Sequence, residues 1–211
     1  MPRYHDNVEQ GTPEWLALRL GRFTASDFHV MLGKSQTKTD KLYEIIFERL
    51  TNNTDQENYS SFAMERGKIL EAEARRLYSA VNEIPVRQTG FVEPDGEEPY
   101  KGFIGSSPDG LIGEDGGLEI KCPLGKNFLQ WTMPQDDGTL NITYIKPEYR
   151  TQLEFNLMVT GRKYWDFCYY HPLLGLAVQR VESDADLREK IKNALNECIE
   201  FVTNYTKEKK E

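Results

Sequence analysis

The chain has 211 residues, 38% of them hydrophobic and 28% charged, enough for one buried core and too apolar for global disorder. Lys and Arg number 26 against 34 Asp and Glu, so the net charge of −8 excludes a generic basic coat for nucleic acid, though not a local basic groove. No apolar run approaches the roughly 18 residues of a membrane span. The polar opening Met1 to Gln10 and the widely spaced Cys122, Cys168 and Cys198 predict no secretory signal, no disulfide framework and a reducing compartment.

Elements are predicted in this order. A helix starts after Thr12 with Pro13 at its first position, carrying Trp15, Leu16, Leu18 and Leu20. A second starts at Thr24, where Thr24-Ala25-Ser26-Asp27 reads as a capping box. Lys41 to Leu50 continues the helical pattern, Thr51 to Ser61 is a polar loop, and a long helix spans about Ser61 to Val81. Its core face is marked by Leu70, Ala74, Leu77 and Val81. The period then changes to short β-prone runs at Val86–Glu93, Tyr100–Ser106, Gly110–Gly113 and Gly117–Lys121. Helices return at Gly125–Thr132 and Pro147–Thr160, followed by strands Tyr164–Tyr170 and Leu176–Glu182. The first of these strands is apolar nearly throughout, as a strand covered on both faces would be. A final helix runs from Asp184 to about Tyr205, with Leu187, Ile191, Leu195, Cys198 and Val202 on one stripe. The pattern predicts an α/β fold with a core sheet flanked by helices.

One constellation carries chemistry. Ser107-Pro108-Asp109-Gly110 stands at a strand-to-turn junction, and Glu119-Ile120-Lys121 lies in the strand after a Gly113 to Gly117 hairpin. Side chains two apart on a strand share a face, so Glu119 and Lys121 point together, and the hairpin brings Asp109 beside them. Two carboxylates, the Ile120 carbonyl and an ammonium suit a hard divalent cation and a phosphate in flight. Taken alone, Pro-Asp-Gly is also a common turn and Glu-x-Lys a common exposed pair. No nucleotide-binding loop, serine elbow or zinc-protease helix motif is present, and His5, His29 and His171 show no ligand spacing.

At Pro108-Asp109 and Glu119-x-Lys121 the sequence resembles the PD-(D/E)XK nuclease superfamily, and SPDG followed by DGGLEIKCP resembles its phage lambda exonuclease (alkaline exonuclease) branch. Three more blocks agree in order: Glu9-Gln10-Gly11 to Trp15 with Leu18 to Gly21 and Thr24 to Ser26; Arg66-Gly67-Lys68 with Glu71, Ala74 and Arg75; and Tyr149 to Thr160 with Gln152. The resemblance spans about residues 9–170. It implies a restriction-endonuclease-like core, a central mixed β-sheet flanked by helices. One nuclease domain would cover residues 1–211, with N-terminal helices over 12–81, sheet and motifs over 86–182 and a C-terminal helix over 184–205.

The resemblance further implies that Asp109, Glu119 and the Ile120 carbonyl hold metal, that Glu71 helps hold a second ion, and that Lys121 and Gln152 serve the attacking water or phosphate. Two Mg²⁺ per site are implied, with Mn²⁺ as the alternative ion. Arg19 and Ser26 match a pocket for the DNA 5′-phosphate. A first-turn position of Ser26 in a helix from Thr24 would add free N–H groups. Met64 matches a strand-separating wedge, with a core side chain nearly as good a reading; for Trp15 a core role in an amphipathic helix is the simpler reading and stacking on DNA the other. Glu71 also reads as an i,i+4 partner of Arg75, and Gln152 as a solvent-facing helix residue. The implied activity is 5′-to-3′ digestion of one strand of double-stranded DNA ends to mononucleotides, leaving a 3′ overhang for recombination. A homotrimer ring, a single-strand annealing recombinase as partner, no membrane, and the cytoplasm of a bacterial host with phage or prophage origin go with it. An endonuclease of restriction or junction-resolving type on the same fold, and a non-catalytic DNA-binding module, are the alternatives.

Overall fold

A computed structural model of the chain describes residues 1–54, 62–96 and 100–209, with the side chains of 62–64 outside that description. Its elements are β1 (Arg3–Tyr4), α1 (Pro13–Arg19), β2 (Phe23–Thr24), a 3-10 turn (Phe28–Leu32), α2 (Gln36–Thr51), α3 (Phe62–Asn82), β3 (Val86–Arg87), β4 (Val92–Glu93), β5 (Ile104–Gly105), β6 (Gly110–Ile112), β7 (Gly116–Lys121), α4 (Gly125–Trp131), β8 (Thr132–Pro134), β9 (Leu140–Ile142), α5 (Pro147–Thr160), β10 (Tyr164–His171), β11 (Gly175–Glu182) and α6 (Ala185–Glu208). The central sheet has the order β11-β10-β7-β6-β3. β10 and β7 are parallel and the other pairs antiparallel, so the sheet is mixed.

β10 is buried at every position but its two ends, and its period of two sorts the packing. Trp165, Phe167 and Tyr169 face α4 and α5, joining Phe128, Trp131, Leu153 and Leu157. Cys168 and Tyr170 face the other way, joining Leu70, Ala74 and Tyr78 of α3. Helix α5 is buried nearly all round, since Phe155 and Val159 also pack under a second helical layer made by α2, α6 and the 3-10 turn. The layers therefore run α3, sheet, α5, then α2 with α6. Among the described residues no helix is long and apolar enough to cross a membrane.

Several expectations change. No helix begins at Thr24. Phe23 and Thr24 pair with Ile104 and Gly105 as a short parallel ladder, and the 3-10 turn that follows starts at Phe28. Phe23, Thr24, Ala25, Phe28 and Met31 are all buried, and that burial overrides the local capping signal. The run Val86–Glu93 divides into β3 and β4, which pair with different partners, and Tyr100–Ser106 contributes β5 and a single bridge from Ser106 to Val92. On α3 the buried row is Leu70, Ala74 and Tyr78, while Val81 is 68% exposed. Steps of four follow the ridge that meets β10, and Tyr78 anchors there on Asp166. The hairpin β8–β9 was not expected, α2 begins at Gln36 rather than Lys41, and positions 55–61 of the predicted polar loop lie outside the described residues.

Candidate active site

β7 runs on past the start of β6, because Gly110 pairs with Leu118 and no β6 residue stands opposite Ile120. Asp109 fills that gap in the ladder: its Oδ2 accepts the Ile120 N–H at 2.7 Å. A strand residue directs its N–H and C=O to one edge, so the Ile120 carbonyl faces the same gap. Glu119 and Lys121 share the face toward α5, with Lys121 Nζ 2.7 Å from Glu119 Oε1. From α5, Gln152 Nε2 donates to that same oxygen at 2.7 Å and Asn156 Nδ2 to Oε2 at 3.3 Å. α3 brings Glu71 from the opposite face, paired with Arg75, whose Nε donates to the Asp109 carbonyl at 2.7 Å. Arg66, nearer the start of α3, reaches the Cys122 carbonyl at 3.1 Å and ties the helix to the end of β7. The gap is thus lined from β6, β7, α3 and α5.

Its electrostatics are those of crowded carboxylates. Burial raises Glu119 to about 7, with Asp109 adding to the rise and Lys121 opposing it. Burial likewise raises Glu71 to about 8, helped by Asp109 and opposed by Arg75. Asp109 is also raised, by burial, against the pull of Lys121 and the Ile120 N–H. Burial works to lower Lys121, yet the Glu119 and Asp109 charges outweigh it, so its ammonium is held more firmly than usual.

Among the described residues no three His, Cys, Asp or Glu side chains converge as a ready-made cation cage. The donor set nevertheless fits a hydrated Mg²⁺, which binds through one or two carboxylates and keeps several waters. Asp109 Oδ1 takes no hydrogen bond among the described residues, and Asn156 Oδ1 is buried without a partner beside Glu119. The Asp109 oxygen is an acceptor with nothing to accept, as a group that faces a cation or its water shell would be.

A second polar cluster adjoins the first. Arg19, at the end of α1, reaches Thr24 Oγ1 at 3.0 Å, Ser26 Oγ at 3.2 Å and Ser107 Oγ at 3.4 Å. The Trp15 indole donates to Ser107 Oγ at 2.8 Å and to the Gly90 carbonyl at 3.0 Å, with the Arg19 guanidinium stacked 4.5 Å from its ring. Trp15 is half-buried in this cluster and does not enter the core. Ser26 is exposed in the turn after β2, so the expected contribution of a helix N-terminus falls away and its hydroxyl alone remains. Asp27 balances Arg19 and Lys41, each 3.9 Å away. Between the two clusters lies a pocket of 620 Å³ whose wall includes Trp15, Gln10, Lys68, Glu71, Arg75 and Asp109.

Residues 14–163 match the model of the YqaJ-like viral recombinase domain. The chain belongs to this family. The crystal structure of an alkaline exonuclease from Laribacter hongkongensis is similar at 30% identity, covering 94% of this chain and 96% of that one, with a TM-score of 0.78. Its complex with dAMP superimposes with a TM-score of 0.79. A phage-related exonuclease from Haemophilus somnus shares the fold at a TM-score of 0.59 and 13% identity. No curated protein sequence matches. The YqaJ-like family and the Laribacter enzyme fit the lambda exonuclease-like branch of the nuclease superfamily, and the mixed sheet flanked by helices is the fold of that enzyme.

In this YqaJ-like chain, then, the folding brings together Asp109, Glu119, Ile120, Lys121, Glu71 and Gln152 in one gap, and Arg19, Ser26 and Trp15 in the neighbouring cluster. Gln152 is buried against Glu119 and does not face solvent. Met64, the expected wedge, has its side chain outside the described residues. Thr24, Ser107 and Asn156 lie in the quoted motifs, yet the sequence assigned them no role in the site. Asn156 had a signal: with Gln152 it forms an i,i+4 pair of amides on one face of α5. Ser107 had none beyond its place two residues before Asp109.

Proposed function

We propose that this chain is a Mg²⁺-dependent 5′-to-3′ exonuclease of double-stranded DNA ends. It releases mononucleotides and leaves a 3′ overhang for recombination by single-strand annealing. A nuclease of phage-type recombination is what the family and the exonuclease structures support at the coarser level. The observation that carries the finer reading is the segment Ser107-Pro108-Asp109. Ser107 takes Arg19 and Trp15 at one end, and two residues on Asp109 faces Ile120 in the carboxylate gap. A cradle suited to a terminal phosphate is therefore built at a fixed distance from the reacting site, which an enzyme cutting within a duplex would not need.

Asp109, Glu119 and the Ile120 carbonyl would hold one Mg²⁺, with Glu71 serving a second after exchanging Arg75 for it. When bound, such a pair supplies a nucleophilic hydroxide and neutralises charge on the leaving oxygen. The chain's own groups do the rest. Lys121 keeps its proton and offers an ammonium to the phosphate as its charge grows. Gln152 and Asn156 hold the Glu119 carboxylate from both sides, so that it does not swing with each turnover. Arg19, Thr24, Ser26 and Ser107 offer a guanidinium and three hydroxyls to the 5′-phosphate. The 620 Å³ pocket between them has the capacity of a small-molecule site, about 300–1,000 Å³, and would take the terminal nucleoside. The resemblance also carries a homotrimer ring, an annealing recombinase as partner and the bacterial cytoplasm, all offered here as parts of the same proposal.

The test compares a linear duplex bearing a 5′-phosphate with the same duplex bearing a 5′-hydroxyl and with a closed circle, each with Mg²⁺ and with EDTA. Mononucleotide release from the phosphorylated end that EDTA stops is expected. Cutting of the circle would instead establish an endonuclease, and inertness on all three a binding module.

A further inference from the structure

Gln10 lies in the loop between β1 and α1, on the wall of the 620 Å³ pocket. Its Nε2 donates to the Pro108 carbonyl at 3.0 Å and to the Thr89 carbonyl at 3.4 Å. Both partners are acceptors, so the amide can present only its NH₂ to them. Thr89 is buried, and the next residue is Gly90, whose carbonyl takes the Trp15 indole. A Cβ at Gly90 would fall 2.0 Å from the Val8 carbonyl oxygen, so the N-terminal segment lies directly on that backbone. Gln10 therefore reaches Pro108 from a fixed base.

What it grips matters. The proline ring locks φ of Pro108, and its peptide is planar, which leaves ψ as the one soft torsion there. The direction of the Pro108 carbonyl reports that torsion, and the same torsion sets how the chain enters Asp109. The next carbonyl, that of Asp109 itself, is held by Arg75, and the Asp109 carboxylate by the Ile120 N–H. Each of the three groups that aim this side chain thus has one donor. Arg75 has a second duty at Glu71, and Ile120 is part of β7, whereas Gln10 makes no other side-chain bond among the described residues.

We infer that Gln10 is a positioning residue for Asp109: braced on Thr89, it fixes the Pro108 carbonyl and so the direction in which the Asp109 carboxylate meets a divalent cation. This rests on the reading of Asp109 as a metal ligand. Partners that orient a metal ligand are worth about 10–100-fold in affinity or activity.

The experiment uses the full chain as wild type, Gln10→Met, which keeps the length and loses the donor, and Gln10→Lys, which restores a donor. Mn²⁺ is titrated calorimetrically without DNA, and kcat and KM are measured on the 5′-phosphorylated duplex. Thermal unfolding is recorded without metal. Gln10→Met is expected to weaken Mn²⁺ binding and lower kcat about tenfold each, with KM and the melting temperature near wild type, and Gln10→Lys to recover most of both. Mn²⁺ binding and kcat unchanged in Gln10→Met overturn the inference, whether or not stability falls. So does a rise in KM alone, which would make Gln10 a substrate contact, and so does failure of Gln10→Lys to recover anything. A wild type that neither binds Mn²⁺ nor digests DNA overturns the functional reading itself, which separates that failure from the failure of Gln10 in an active enzyme.

Discussion

Glu119 at about 7 and Glu71 at about 8 stand well above the ordinary carboxylate value of 4.5, because burial and the neighbouring Asp109 both disfavour their charged forms. The sign of the linkage follows. A carboxyl whose folded value is raised stabilises the fold fully below its unfolded value, and that contribution fades as pH climbs through the folded value. The metal-free protein should thus lose stability from about pH 4.5 to about pH 8. A bound cation requires the ionised forms and reverses the trend. Melting temperatures with and without Mg²⁺ should therefore differ more at about pH 8.5 than at about pH 6. Asp109→Asn should abolish Mg²⁺-dependent digestion while the metal-free melting temperature holds, since Asn still accepts the Ile120 N–H. Arg19→Ala should erase the preference for a 5′-phosphate over a 5′-hydroxyl end. Equal losses on the two ends would refute the phosphate cradle. The types and spacing of Asp109, Glu119 and Lys121 were legible in the sequence because strand period two makes neighbours of residues 119 and 121. What Asn156 and Ser107 bond to was not, because those partners lie 37 and 92 residues away.

Helix α3 carries Glu71 and Arg75 into the site, and its seat on the sheet is a charge network around the buried Asp166 carboxylate, with Arg180 at the surface. Tyr78 donates to Asp166 Oδ2 at 2.6 Å, and Arg180 closes on the same carboxylate through two nitrogens at 2.8 and 2.9 Å. Tyr78→Phe removes one donor to a charged acceptor and should cost about 1.5–3 kcal/mol of stability, read as a lower urea midpoint with unchanged slope. Digestion of duplex DNA should survive. Helix boundaries marked by proline and glycine were readable: Pro147–Thr160 matched residue for residue, opening on Pro147 and ending where Gly161 turns at φ 66°. The segment around Thr24 was not. Its capping box is a local signal worth about 1 kcal/mol, outweighed by burial of Phe23, Phe28 and Met31 beneath α2 and α6. The same applies to α3, where two helical faces were compatible with the pattern and contact with β10 selected the one through Tyr78.

Across the whole molecule the charge is −8, yet the cations near the carboxylate gap are concentrated: Arg19, Lys68, Arg75 and Lys121 all line or adjoin one pocket and gap. Such a protein should hold DNA through few phosphates. With about three neutralised, affinity should fall about fortyfold between 50 and 200 mM salt, against about 10³–10⁵ for a protein making 6–10 contacts. Duplex binding by Asp109→Asn, titrated at both salts, measures the slope, and a thousandfold drop would mean an unrecognised basic surface.

The order of motifs, the change of period from helix to strand and the apolar run of β10 are properties of neighbouring residues, so the linear chain determined the fold class and the candidate carboxylates by itself. Which ends of those elements meet is a different matter. The gap beside Ile120 exists because β6 is shorter than β7, and the orientation of Asp109 depends on Gln10 and Arg75, 98 and 34 residues distant from the carbonyls they hold. Hydrogen bonds of that span carry no local period. They arise when the layers pack, and packing alone sets an end cluster two residues from a carboxylate gap.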